Sequence, residues 1–355
     1  MKKKHIHWLF LIFPVLLFIS FFTFPKFFSN MVSFLKSNDI IWDKKITVSV
    51  FLPLDTVAYD KKLNELANNP TPEAFESKPA SLNLWPVKTV YPNTGAILPF
   101  NRIIAYYGNL YSTKMGVLGE YPEDEMLKRL DTEVKKWEVA DPNTPVLSAL
   151  HYIAVVAQSF PGSDGKYRSR MPGSEIDKVL GIADKANAIV FLDFQVGFSD
   201  LQTEVPLFEK YLKLPHVHLG VDAEFSMKAG IRPGKMVGTL DAEDINFTTN
   251  YIAKIVRENN LPPKVLVVHR YTKDMITNYK MINILPEVQI VMHMDGWGEM
   301  AKKIGTYKYI IYPEPVQFTG FKLFYKNDIA TPGTVLMTPQ DLLKLSPQPI
   351  YIQYQ

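Results

Sequence analysis

Three apolar runs in this 355-residue chain each end in two polar residues spaced two apart, which limits what the chain can fold into. Residues 187–195 (NAIVFLDFQ) finish with Asp193 and Gln195, residues 214–225 (LPHVHLGVDAEF) carry Asp222 and Glu224, and residues 288–295 (VQIVMHMD) finish with His293 and Asp295. Side chains alternate along a strand, so each pair projects from one face. Runs that are apolar throughout and polar only at their C-terminal ends predict strands of a covered parallel sheet, with one site at one end of it.

The segments between these runs have the complementary pattern. Residues 102–108 (RIIAYYG) and 146–152 read as the first two strands, residues 122–138 as a helix with Met126, Leu130 and Trp137 on one face, and residues 174–186 as a helix with Asp177 in capping position. Ser199 and Gln202 form a capping-box pattern. After the central run the chain is too short for a full helix before residues 236–240, a weak fifth strand, and Asp241 then caps a long helix. Residues 264–270 (KVLVVHR) are the next strand, 272–282 a helix, and 308–312 the eighth strand, followed by a loop. Seven or eight such alternations predict a (β/α)8 TIM-like barrel over residues 101–355, with an incomplete fourth βα unit and a C-terminal extension. The competing fold is an open doubly wound sheet; no Gly-x-Gly-x-x-Gly follows the first strand, so no nucleotide is expected.

The N-terminal hundred residues read differently. Lys2, Lys3 and Lys4 precede an apolar stretch over residues 6–24, long enough to span a bilayer, so residues 1–30 are expected to be a signal anchor in the cell membrane with the rest outside. Secretion after signal cleavage is the alternative. Residues 31–100 are expected to be a stalk and a Pro-rich extended wrap. Four of the 39 basic residues fall in residues 1–30, which hold no acid, leaving 35 basic against 36 acidic elsewhere. So balanced a body offers no footprint for nucleic acid. The absence of Cys excludes disulfides, thiolate metal sites and cysteine nucleophiles.

Several ordered blocks carry a resemblance: VFLDFQVG (190–197), VDAEF (221–225), PGKMVGTLDAEDIN (233–246), LPPKVLVVHR (261–270), HMDGWG (293–298), GFKLFYKND (320–328) and the terminal YIQYQ. Through them the chain resembles an uncharacterised family of exported bacterial (β/α)8-barrel proteins. Relatives carry Pro between the central Asp and Glu and Gln after the His of the later strand, where this chain has Ala223 and Arg270. The Asp-x-Glu on a fourth strand is also similar to the catalytic motif of several glycoside hydrolase groups, including the family-25 lysozymes.

In a barrel the functional residues lie where the strands end. Glu224 is therefore expected as general acid/base, with Asp222, Asp193 or Asp295 as its partner, and neighbouring acids raising one pKa by repulsion. Tyr106, His151, Gln195, His269, Arg270, His293, Trp297 and Glu314 are the expected substrate-binding residues, and Tyr312 and Phe318 further loop aromatics. The expected activity is glycoside hydrolase-like, on cell-wall or extracellular polysaccharide, with no cofactor. Two alternatives stand beside it. One is a non-catalytic glycan-binding or envelope scaffold barrel; the other is a metal-dependent hydrolase using His269 and His293. His216 and His218 also form a His-x-His pair, but at the start of the central strand and so at the wrong end.

Overall fold

In the computed structural model, which describes residues 53–69 and 83–355, eight parallel strands close into a barrel with helices between them. In chain order they are β1 Arg102–Gly108, β2 Val146–Ala157, β3 Ile189–Phe194, β4 Val217–Asp222, β5 Lys264–Arg270, β6 Val288–Met294, β7 Phe318–Leu323 and β8 Tyr351–Tyr354. Each pairs with the next, and β1 pairs with both β2 and β8, which completes the closure. The helices are α1 Thr56–Ala67, α2 Glu123–Ala140, α3 Gly173–Lys185, α4 Ala242–Glu258 and α5 Met300–Thr306, supplemented by single turns.

Alternation sorts each strand's side chains between helix layer and barrel axis. On β1, Ile104 and Tyr106 join the large cluster under the helices, whereas Ile103 and Ala105 belong to the barrel interior with Ala149, Phe191, Val265, Val267, Val291 and Phe318. This lower interior is mostly apolar, and Tyr59 and Leu66 of α1, with Leu98, pack against it. The Gln289 side chain, facing inward on β6, ties down this plug by bonding the Leu98 N–H at 3.0 Å and its carbonyl at 2.6 Å.

Helix α4 begins at a capping box formed by Asp241 and Asp244, and buries Ile245, Ile252, Ile255 and Val256. Helix α2 has no side-chain cap and instead opens with Glu123, Asp124 and Glu125, whose charges favour the positive end of the helix dipole.

Several local expectations are corrected. Residues 308–312 are not a strand: Tyr307–Ile311 continues α5 as a π-helical turn, burying Tyr307 and Ile311 four apart while Tyr309 is exposed. The seventh strand is instead Phe318–Leu323, and the expected C-terminal extension supplies the eighth, Tyr351–Tyr354. Residues 236–240 form no barrel strand; Leu240–Asp241 pairs only with Ile276–Thr277. The helix expected over 272–282 is a pair of 3-10 turns, because Arg270 bonds the Thr272 and Lys273 carbonyls and draws the chain into a tight bend. Asp177 does not cap α3, whose N-cap is Pro172, and Asp200 rather than Ser199 caps the turn at Leu201–Glu204. Within the Pro-rich wrap, Asp55 caps α1, which fits between Pro53 and Pro70.

The anchor expected over residues 1–30 lies outside the described residues. Among the described residues no helix is long and apolar enough to cross a membrane.

Candidate active site

Above the apolar layer the barrel interior turns polar. Inward positions at the C-terminal ends carry Tyr107 on β1, His151 on β2, Asp193 on β3, Asp222 on β4, His269 on β5, His293 on β6, Lys322 on β7 and Gln353 on β8. All are buried. Asp295 and Gln195 follow β6 and β3 in the same alternation, and Glu224 follows β4 on a 3-10 turn.

Two glycines make this layer possible. Gly220 on β4 faces the axis where a Cβ would collide with the Asp193 carboxylate and the His151 imidazole, and a Cβ at Gly320 would collide with the His293 ring. The barrel accommodates its imidazoles by omitting side chains opposite them.

The polar groups form a chain that can be followed atom by atom. Gln353 donates to the Tyr351 hydroxyl at 3.0 Å, and that hydroxyl lies 2.6 Å from His151 Nδ1. His151 Nε2 and His269 Nε2 both face Asp193 Oδ1, at 3.2 and 3.3 Å, and the Tyr107 hydroxyl donates to Asp193 Oδ2 at 3.1 Å. His269 Nδ1 reaches Asp295 Oδ2 at 2.8 Å, and Lys322 Nζ stands 2.9 Å from Asp295 Oδ1. The Lys322 ammonium also lies over the Tyr107 ring, 3.8 Å from its centroid.

Charge is distributed unevenly along this chain. Burial disfavours a charged His269, but Asp193 and Asp295 on either side outweigh it and hold its pKa up to about 10. His151 has only one acid beside it, and burial lowers it to about 4; His293, with neither ring nitrogen bonded, is pushed well below its ordinary value. Asp193 and Asp295 are themselves held below the usual carboxylate range: burial opposes ionisation, and the adjacent cations overcome it. One imidazolium and one ammonium thus balance two carboxylates.

Asp222 and Glu224 behave oppositely. Burial, then the neighbouring acids, raises Asp222 well above its ordinary value. It accepts from the Glu224 N–H at 3.0 Å and from Gln195 at 3.3 Å. Glu224 is raised by burial and by Asp295, partly offset by Lys322 and Tyr271.

These groups open on a cavity of about 590 Å³ lined by Asp222, Glu224, Asp295, Tyr271, Lys322 and Trp297 among others. Gln195 and Tyr107 also reach it, whereas Asp193, His151, His269 and His293 lie beneath its floor. Three expected binding residues are elsewhere. Tyr106 points into the helix layer, bonded to Tyr325 at 3.1 Å, because β1 alternates and Tyr107 takes the inward position. Arg270 also faces outward, pairing with Glu314, which removes both from the cavity. Phe318 begins β7 and packs at the apolar end. Trp297 is at the cavity, 56% exposed.

Sequence reasoning missed Tyr107, Lys322, Tyr271 and the β8 pair Tyr351 and Gln353. Their signal was present: Gly320 and Lys322, like Tyr351 and Gln353, repeat the spacing of two seen in the recognised strands.

Among the described residues, two sets have ligand atoms within 4.8 Å of one another, His151–Asp193–His269 and His269–His293–Asp295. Both share His269, which lies between the Asp193 and Asp295 carboxylates, and Lys322 already occupies one Asp295 oxygen.

No family model and no curated protein matches the chain. Its fold is similar to solved structures at low likeness. A GH5-4 broad specificity endoglucanase from Clostridium acetobutylicum is 10% identical, with 73% of this chain and 88% of that chain covered and a TM-score of 0.38. A Bacillus subtilis mannanase is 11% identical, with 75% and 88% covered and a TM-score of 0.38. A cellulase is 13% identical at a TM-score of 0.34; 62% of this chain is covered, and the chain spans 65% of that protein's length. Scores this low speak to neither substrate nor mechanism.

Proposed function

We propose that this protein is a glycoside hydrolase-like enzyme, held outside the cytoplasmic membrane by its N-terminal segment, that cleaves cell-wall or extracellular polysaccharide by two-carboxylate catalysis. The observation that carries the proposal is one cavity lined by three acids, two of which, Glu224 and Asp295, have surroundings that drive their protonation apart. Glu224 is pushed toward the protonated form, and Asp295 is kept ionised by Lys322 and His269. Glu224 gives its proton to the glycosidic oxygen as the bond from the anomeric carbon breaks. Asp295 either attacks that carbon or takes the proton of an attacking water. Asp222 shapes the turn that presents Glu224, and Asp193 anchors His269 below the floor.

The test is release of reducing ends from a panel of polysaccharides. Glu224→Gln and Asp295→Asn should each lower the rate by about 10²–10⁴-fold, as expected for losing an acid/base group, while a chelator should leave the wild-type rate unchanged. Hydrolysis that survives both substitutions, or is abolished by chelation, overturns the proposal. The topology is tested separately by protease treatment of intact cells: cleavage of the barrel supports an outside location, and protection contradicts it.

A further inference from the structure

We infer that the substrate is an anionic glycan, a sugar polymer bearing carboxylate or phosphate groups; this rests on taking the cavity as a sugar-cleaving site. The cavity floor holds Asp222, Glu224 and Asp295 with Lys322 already paired to Asp295, and further cations stand at its mouth. Lys114, on the loop after β1, and Lys302, on α5, line it, both exposed and neither with a carboxylate partner among the described residues. Lys302 Nζ lies over the Trp297 ring, 4.7 Å from its centroid. The mouth therefore offers an ammonium stacked on an aromatic ring and paired with no carboxylate, which suits an acidic substituent on a sugar.

Arg232 and Lys235, in the loop that follows Glu224, are exposed but do not line the cavity, so the cations at the mouth are Lys114 and Lys302. General basicity does not explain these cations, since outside residues 1–30 the chain has 35 basic and 36 acidic residues. A neutral polymer has no use for unpaired ammonium groups at the mouth. An anionic one does, because its acidic groups can meet Lys114 and Lys302 as it enters, and rim charges act chiefly on capture. An anionic lipid surface would also meet exposed lysines, but it would not reach into a cavity.

The experiment uses the full chain in detergent micelles carrying Glu224→Gln, so that binding is read without turnover. Affinity is measured for polygalacturonate, for the same polymer fully methyl-esterified, for poly(glycerol phosphate), and for phosphatidylglycerol vesicles. The expected result is preference for polygalacturonate over its ester, or binding of poly(glycerol phosphate), the two arms separating carboxylate from phosphate as the recognised group. Lys114→Gln with Lys302→Gln should reduce that affinity about five- to tenfold, and raised salt should reduce it likewise. Equal affinity for acid and ester without binding of poly(glycerol phosphate), an affinity unchanged in the lysine variant, no binding to any polymer, or lysine-dependent binding to vesicles alone each overturns the inference. The two proposals fail separately. Cleavage of neutral polysaccharide with no anionic preference sinks this one and leaves the acid/base assignment standing. Lysine-dependent capture of an anionic polymer that Glu224-intact protein never cleaves does the reverse.

Discussion

In the polar layer of the barrel the His269 ring stands edge-on to those of His151 and His293, at 5.5 and 5.1 Å between centroids, and their neighbours assign the three different states. His269 lies between two carboxylates, His151 between one carboxylate and a tyrosine, and His293 touches no polar partner. Nitrogen-15 imidazole shifts at pH 7 should therefore show one imidazolium, titrating near pH 10, and two neutral rings, His151 gaining its proton only near pH 4. For His269 the folded value lies above the ordinary 6.5, so its contribution to stability is complete below pH 6.5 and is lost as pH rises through about 10. Three neutral rings at pH 7 would contradict the assignment. Glu224 makes a kinetic prediction of the same kind. A general acid must be protonated, so kcat/KM should fall on the alkaline side as Glu224 ionises, above the usual glutamate range; the acid-side fall should come below the usual aspartate range, where Asp295 protonates. A profile centred on ordinary carboxylate values would contradict it.

At the scale of elements, the glycines on β4 and β7 are as much part of the site as the histidines they accommodate. Gly220→Ala should destabilise the fold by about 1–3 kcal/mol, since the new methyl meets Asp193 and His151 in a filled layer. Gly181→Ala is the control of opposite sign: it lies on α3 with nothing within 4 Å, so it should stabilise by about 0.5–1 kcal/mol. Thermal unfolding of both variants checks the pair, and equal effects would contradict the account. These elements also show why some of the fold was legible in the sequence. Strands β3, β4 and β6 are apolar along their length and polar only at the end, so they stand out. Strand β7 carries Gly320 and Lys322 inward, which breaks the apolar run, and β8 is four residues long and follows two prolines. The aromatic stretch at 307–312 has strand-like composition, but Tyr307 and Ile311 bury with helical spacing. Tyr106 and Arg270 were misassigned for one reason: in a strand the neighbour of an inward residue faces outward, and only the register decides which is which.

For the whole molecule, closure depends on the chain's last strand. Strand β8 pairs with β1 on one side and β7 on the other, and Tyr354 receives the Trp137 indole N–H from α2 at 3.0 Å. Removing residues 350–355 would expose two long strand edges, so this variant should aggregate or lose cooperative unfolding; a soluble variant with an unchanged melt would contradict the closed barrel. The closed barrel is what brings acids from β4 and from beyond β6, far apart in sequence, to one cavity, where burial and Asp295 raise Glu224 while Lys322 and His269 keep Asp295 ionised. Carbon-13 carboxyl titration of Glu224 and Asp295 tests this most directly and requires no knowledge of the substrate. In the wild type Glu224 should titrate above the ordinary glutamate value and Asp295 below the ordinary aspartate value, and in Asp295→Asn the Glu224 value should drop, because the Asp295 charge that adds to the effect of burial is gone. Ordinary values for both acids, or a Glu224 titration indifferent to the substitution, would contradict the account.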